Sequence, residues 1–340
     1  SEEVLPVKEI VYTDMLSSKN INFFGRNYVN ESLGMVEFDY SAAGFETEFT
    51  GTKLTATLYG NDKAGYGNTY LSVFVDGDEK ILELESNKQK DYVLCDGLTE
   101  GTHRVKVLKR TELAFTQAGI ARIWSDGDIL KAPARRKLKF EFYGDSITCG
   151  EGVLRDYKPS DSAKYTALTQ NALQSYAAYA AGKLNASYEI FGRGGITLKF
   201  RNPETEPFSV LNNYMSYAVD LSVANGDCPE YDFSSTVDAV VVYLGTNDYF
   251  RARNYDTGYS PAGMEAAYIE FVERVVGAHY GYYIPVVLCS GLMVHSSELG
   301  GCVKGATEKL KAKYPYIAAV DFEPGVTEPT GGHPVVEDSI

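Results

Sequence analysis

The chain has 340 residues, 44% of them hydrophobic and 23% charged, with a formal net charge of −14 at pH 7. That length accommodates two domains of about 150 residues each, with enough apolar material for a core in both. The acidic excess repels polyanions, so it argues against nucleic acid or anionic membrane as partner and favours a neutral one such as a polysaccharide.

In chain order, the first 130 residues alternate apolar and polar positions with period two. Phe45–Phe49, Leu54–Leu58 and Leu71–Val75 show it, Asp76-Gly77 supplies a hairpin turn before Lys80–Glu85, and His103–Leu108 resumes the pattern. Short strands with glycine turns and no helical period predict a β-sandwich, a jelly roll. After Trp124 the texture changes: Asp126-Gly-Asp128 and the basic, proline-bearing Lys131–Lys137 read as a solvated connector. The expected domains are therefore 1–132 and 133–340. Beyond the connector, strand candidates at 138–143, 187–191, 237–243, 284–289 and 317–321 alternate with helices. One helix is expected near 168–184, with Leu173, Ala177, Ala180 and Leu184 on one face. A clearer one spans 261–280, capped by Ser260, with Pro261 first and Met264, Tyr268, Phe271, Val275 and Ala278 at helical spacing. Strands alternating with helices predict an α/β doubly wound parallel sheet.

No internal repeat is visible, and no run of about 18 apolar residues that would span a membrane. Five cysteines (Cys95, Cys149, Cys228, Cys289, Cys302) lack paired spacing and read as mainly free, buried thiols. The chain opens at Ser1 without a secretory signal, which leaves the compartment open. Its 26 tyrosines suit stacking against sugar faces, but tyrosine is also common in β-sandwiches.

Chemistry concentrates at three places. Phe142-Tyr-Gly-Asp-Ser146 ends a strand with a serine in a glycine-flanked turn, where open α/β sheets hold ligands and a following helix start offers N–H groups to an oxyanion. Val240–Asp248 is a second apolar strand that delivers Asn247. His333 lies near the end of the chain, in Gly331-Gly-His-Pro334. Serine, asparagine and histidine supply a nucleophile, an oxyanion donor and a base. Each also has a plainer reading: a helix-capping serine, a turn-forming asparagine, a loop histidine.

Taken together these motifs resemble the SGNH (GDSL-type) hydrolase superfamily. Gly144-Asp-Ser-Ile matches its first block, Gly192-Arg-Gly194 its second, Gly245-Thr-Asn-Asp248 its third and His333 its last. With the β-rich leader in front, the chain resembles carbohydrate esterase family 2, whose members remove acetyl groups from polysaccharides such as xylan and glucomannan. The resemblance implies Ser146 as nucleophile, His333 as base, and an oxyanion hole from Asn247 with the N–H groups of Ser146 and Gly194, Gly195 being the other register. His333 is favoured over His295, which follows a strand that could face the same crevice. His103, in the β-domain, and His279, at a helix end, read as structural. Asp145 is expected to tie down the turn. Tyr249 and Phe250 either wall the substrate pocket or dock the next helix.

The superfamily's usual aspartate three residues before the histidine is absent, because that position is Thr330. A backbone carbonyl from 328–331 is the expected acceptor for the imidazole Nδ1 proton, with Glu328 or Asp321 as competing carboxylates. The expected activity is that of an acetylesterase acting on an acetylated polysaccharide or oligosaccharide, with no cofactor, no metal, and neither nucleic acid nor membrane as partner. Two alternatives stay open: a general short-chain esterase, lipase or thioesterase, and a polysaccharide-binding module with a vestigial serine.

Overall fold

The computed structural model describes residues 6–63, 65–155, 165–202, 209–211, 231, 233–324 and 332–336. The chain divides into two compact units. The first is built on the residues up to Arg135, joined by Thr166–Ala172; the second contains Arg136–Tyr165 and the C-terminal part of the chain.

The first unit is an antiparallel β-sandwich. One layer runs Asp78–Leu84, Thr69–Val75, Gly101–Lys109, Gly44–Gly51, Asn22–Phe24. The other places Lys88–Cys95, Leu54–Asp62, Thr116–Ile129 and Val7–Val11 side by side. Phe45, Phe49, Leu58, Val73, Val107 and Ile120 are fully buried, as period-two alternation with one apolar face requires. Asp76 (φ 53°) and Gly77 (φ 105°) both adopt positive φ in the predicted hairpin, where Val75 pairs with Asp78.

The connector is shorter than expected, because Asp126-Gly-Asp128 continues the strand to Ile129. Asp126 accepts the N–H groups of Thr52 and Lys53 at 3.0 Å each and the Thr52 hydroxyl at 2.6 Å. Those hydrogen bonds, the Thr52 hydroxyl foremost, hold its carboxyl down at about 2.

The second unit is a five-stranded, all-parallel sheet in the order Ala186–Gly192, Leu138–Gly144, Ala239–Tyr243, Val286–Leu292, Ile317–Pro324. These are the five predicted strands, and Phe142, Ile190, Val240, Val242, Val286 and Leu288 are buried in them as a parallel sheet demands, whereas Leu138, which opens its strand, and Val320, on an edge strand, are exposed. The helix at Pro261 begins as the sequence indicates, with Ser260 Oγ accepting from Gly263 N at 3.1 Å. After Phe271 it widens into a π-helical stretch, Val272–Gly277. The extra residue per turn carries Val276 inward and leaves Ala278 exposed, which displaces the end of the predicted stripe.

The helix expected over 168–184 is confined to Tyr176–Lys183 and preceded by two 3₁₀ turns, Ala167–Thr169 and Ala172–Gln174. Its buried residues are Tyr176, Ala177 and Ala181, whereas Ala180 and Leu184 are exposed. This segment has partners of its own: Gln170 Oε1, between the turns, accepts from Glu112 N at 3.2 Å, and Ala172 N, at the start of the second, donates to the Arg110 carbonyl at 3.0 Å. Those bonds hold the segment within the first unit and out of the helix.

Glu141 is an acidic side chain inside the parallel sheet, with no exposure to solvent. Its carboxyl lies among the hydroxyls of Tyr143 (3.2 Å), Tyr231 (3.1 Å) and Tyr280. Burial, with the Glu189 charge in second place, raises it to about 7. The folded state therefore holds this proton more tightly than the unfolded chain, whose glutamates titrate near about 4.3. The resulting stabilisation is present below that pH and is lost as pH rises to about 7. Glu141→Gln can satisfy the same hydroxyls without titrating. Thermal melting of wild type and variant at pH 4.5 and 7.5 is expected to show a gap for the wild type that the variant narrows.

Candidate active site

The site begins with strand register. Gly144 pairs with Gly192 on one side and with Tyr243 on the other, so the three strands leave the sheet at one level. Each exit loop carries one of the blocks found in the sequence: Ser146, then Arg193-Gly-Gly195, then Gly245–Asp248. His333 comes from the C-terminal segment.

Ser146 Oγ lies 2.6 Å from His333 Nε2. The serine is 5% exposed and the histidine side chain 17%. A hydroxyl at that distance can pass its proton to a neutral imidazole as it attacks a carbonyl carbon. Burial, and after it the positive charge of Arg155, holds the imidazole down at about 4, so at neutral pH it is an unprotonated base.

The expected helix after the serine is absent. Residues 146–154 form a chain of turns, in which Cys149 N bonds the Asp145 carbonyl (3.1 Å) and Glu151 N the Ser146 carbonyl (3.0 Å). Gly150 and Gly152 both sit at φ 69°, the left-handed region, which stops helix propagation. Single N–H groups, not a helix dipole, are therefore what this loop offers an oxyanion.

Asp145 is wholly buried; its Oδ1 accepts from Ile147 N at 3.0 Å and its Oδ2 from Asn247 Nδ2 at 3.2 Å. Asn247 Nδ2 also donates to the Ile196 carbonyl at 3.0 Å. Asn247 thus ties the serine loop to the glycine loop. It stands in the first turn of the helix Thr246–Ala252, whose cap Gly245 has φ 107°. A Cβ there would meet the Tyr268 hydroxyl at 2.3 Å, so glycine is required. Tyr249 and Phe250 follow on the same helix, both half-buried. The Arg253 guanidinium lies 4.6 Å from the Tyr249 ring centre and donates to its hydroxyl at 2.7 Å. In the glycine loop, Ile196 N closes onto the Arg193 carbonyl at 3.2 Å around Gly194 and Gly195.

His295 is exposed, with Nδ1 3.2 Å from the Phe322 carbonyl, and it is not paired with Ser146. His103 binds Asp76 (2.7 Å) and the Thr99 carbonyl (2.8 Å), and His279 stacks on Phe233 at 3.8 Å. Asp321 is held by Ser290 Oγ at 2.8 Å and by Lys304 Nζ at 3.7 Å. Glu328 and the 328–331 carbonyls lie outside the described residues. So does Cys228, while the other four cysteines are buried and form no disulfide with one another.

Four residues near the site went unassigned in the sequence. Glu151 Oε2 lies 3.7 Å from His333 Nε2. Arg155 and Tyr165 contact the histidine's backbone and ring. Asp248, fully buried, accepts the N–H groups of Leu198 (2.7 Å), Lys199 (2.8 Å) and Phe200 (2.7 Å), which anchors the glycine loop from beneath. Burial lifts its carboxyl to about 6 although the three amides favour the anion. Glu151 and Arg155 share the glycine-punctuated loop of Ser146, a signal the sequence does hold; Tyr165 has none.

The chain matches the family model "Carbohydrate esterase 2 N-terminal" over residues 23–133. It is 32% identical over 212 residues to the cellulase/esterase CelE of Acetivibrio thermocellus, covering 62% of this chain and 24% of that protein. It is 24% identical over 325 residues to an acetylxylan esterase / glucomannan deacetylase of Cellvibrio japonicus, covering 92% and 84%. The chain therefore spans about a quarter of the first of these relatives and most of the second. Among solved structures, a family two carbohydrate esterase from Clostridium thermocellum in complex with cellohexaose aligns with a TM-score of 0.78 at 25% identity. The alignment covers 94% of each chain.

Asp248→Asn replaces an acceptor of three N–H groups by an amide whose own N–H faces them. Losing buried, charge-assisted hydrogen bonds costs about 1–3 kcal/mol each. The variant is expected to lose at least about tenfold in kcat for ester hydrolysis through displacement of the glycine loop. Steady-state kinetics beside the wild type, with circular dichroism as the fold control, checks this.

Proposed function

We propose that the chain, which is similar to the family 2 carbohydrate esterases, is a serine esterase of that family removing O-acetyl groups from plant cell-wall polysaccharide, xylan or glucomannan. The observation that carries this reading is the 2.6 Å contact between Ser146 Oγ and His333 Nε2 at the carboxyl edge of the parallel sheet. Ser146 attacks the acetyl carbonyl and His333 takes its proton. The tetrahedral oxyanion is held by the N–H groups of Ser146 and Gly194 and by Asn247 Nδ2. His333 then protonates the departing sugar hydroxyl, leaving an acetyl-serine. Water, deprotonated by His333, attacks that ester, and collapse of the second intermediate releases acetate.

Asn247 gives its amide hydrogens to Asp145 and Ile196 in the free protein, so the oxyanion competes with those acceptors for one of them. A fixed donor of this kind is worth about 10²–10³ in rate. Tyr249 and Phe250 are assigned to the pocket wall, two and three residues beyond Asn247 on the same helix. A glycan substrate fits the relatives' names, the cellohexaose held by one solved relative, and the net charge of −14, which does not oppose a neutral polymer.

Ser146→Ala and His333→Ala are each expected to lower acetate release from acetylated xylan and glucomannan by at least about 10³-fold. A small acyl site is expected to favour aryl acetates over butyrates. Equal rates along a chain-length series, with no release from either glycan, would point to a general short-chain esterase. Retained glycan binding as the protein's role, without any turnover by the wild type, would point to a binding module. Since the base must be neutral and is held down at about 4, kcat/KM should keep its plateau well below pH 6.5, the ordinary histidine range.

A further inference from the structure

The imidazole of a catalytic histidine is ordinarily oriented through its Nδ1. Here no described residue accepts from His333 Nδ1, and the carboxylate that does approach its ring, Glu151, lies 3.7 Å from Nε2. What does grip His333 is its backbone. Arg155 Nη2 donates to the His333 carbonyl at 2.7 Å, while its Nε donates to the Gly152 carbonyl at 3.0 Å. The His333 N–H donates to the Tyr165 hydroxyl at 3.2 Å. The Tyr165 ring meets the imidazole edge-on, with centroids 5.0 Å apart and planes at 69°. The Arg155 guanidinium in turn lies 4.4 Å from the centre of that same tyrosine ring. Gly152 makes room for this arrangement, since a Cβ there would come within 2.7 Å of both Arg155 Nε and Tyr165.

We propose that Arg155 and Tyr165 are positioning residues that clamp His333 by its carbonyl, its N–H and its ring edge, fixing the imidazole on Ser146 from the backbone side. The proposal rests on the reading of Ser146 and His333 as nucleophile and base. Its logic is steric. With carbonyl and N–H both held, the histidine's φ and ψ are set, and the tyrosine edge then limits rotation of the ring. Arg155 is fitted for the task, because its planar fork spans two carbonyls while its face stacks on an aromatic ring, which a lysine cannot do. Among the described residues, the polar and charged groups at His333 are Arg155, the Tyr165 hydroxyl, the Ser146 hydroxyl and the Glu151 carboxylate. The cation disfavours imidazolium and the carboxylate favours it, so removing Arg155 moves the acid limb of the rate profile upward as well as loosening the ring.

The two effects separate in a pH series of kcat and KM on a short aryl acetate. Arg155→Met is expected to lower kcat by about 10²-fold, the usual consequence of misplacing a reacting group by about 1 Å, with KM little changed. It should also raise the acid limb toward the ordinary histidine range. Arg155→Lys keeps the charge and loses the fork, so the limb stays in place while kcat still falls. Tyr165→Phe keeps the ring and removes the acceptor for the His333 N–H, giving a smaller loss of kcat. If Arg155→Met does not fold, Arg155→Lys and Tyr165→Phe carry the test. The proposal is overturned if the folded variants keep kcat within threefold and the limb unmoved while Ser146→Ala and His333→Ala are inactive. Activity surviving in Ser146→Ala or His333→Ala would instead overturn the catalytic reading itself.

Discussion

Every feature of the site depends on one register: Gly144, Gly192 and Tyr243 hydrogen-bonded at the same level across three parallel strands. Strands in a sheet lie about 4.8 Å apart, so loops leaving three neighbours at one level bring their first residues within side-chain reach of one another. Ser146, Gly194 and Asn247 are two to four residues beyond those exits. A slip of a single residue would turn each strand's side chains to the opposite face and separate the blocks. Buried Phe142, Ile190 and Val242 prevent such a slip, because moving any of them would unpack the core on both sides of the sheet.

Register alone brings the loops together without fixing their details. Buried polar groups complete that, and each touches the exit loops rather than the chemistry. Asp145 holds its own turn through Ile147 N and receives Asn247 from the next loop. Asp248 gathers three consecutive amides of the glycine loop. Two carboxyls, both fully buried, thus fasten three loops, and the neighbouring Asn247 bridges between them. A buried polar network is stable only when every member is satisfied, so disturbance at one loop is felt at the others. That coupling explains why aspartates stand beside the serine and the asparagine in both sequence blocks.

The parts legible in the sequence are those written in local pattern. The five parallel strands read as short apolar runs, the sandwich as alternation with glycine turns, and the start of the helix at Pro261 as a serine cap followed by proline. Segments whose bonding is decided at a distance were not legible. Residues 168–175 have helical spacing, yet Gln170 and Ala172 are held by Glu112 and Arg110, more than fifty residues away in sequence. Asp126-Gly-Asp128 has the composition of a linker, but Thr52 and Lys53 make it strand. The turn after Ser146 departs from the expected helix for a local reason: Gly150 and Gly152, both at φ 69°, interrupt any helix begun at the serine. Within the site, Ser146, Asn247 and His333 were legible from their blocks. Tyr165 was not, and Arg155 only by its place in the loop of Ser146, because their partner His333 lies far along the chain and their contacts reach its backbone as well as its ring.

In the proposed mechanism the electrostatics of the base, His333, impose a further condition on this design. Burial that keeps His333 neutral also makes it a weaker proton acceptor, and the imidazolium formed during attack must be tolerated in the same surroundings. Arg155 adds to that difficulty, since its charge opposes the imidazolium it positions. Two negative charges act in the other direction. One is transient, the oxyanion that forms as the imidazole is protonated, so the pair of charges appears together and largely compensates. The other comes from the carboxyl of Glu151, whose Oε2 is 3.7 Å from the nitrogen that takes the proton in the proposed mechanism and whose side chain is 11% exposed. A carboxylate there stabilises imidazolium without competing for Nδ1, and it sits five residues after Ser146, in the same chain of turns that carries this proposed nucleophile. Positioning by a cation from the backbone side and charge compensation by an anion on the reacting side are thus complementary, and one glycine-punctuated loop supplies both.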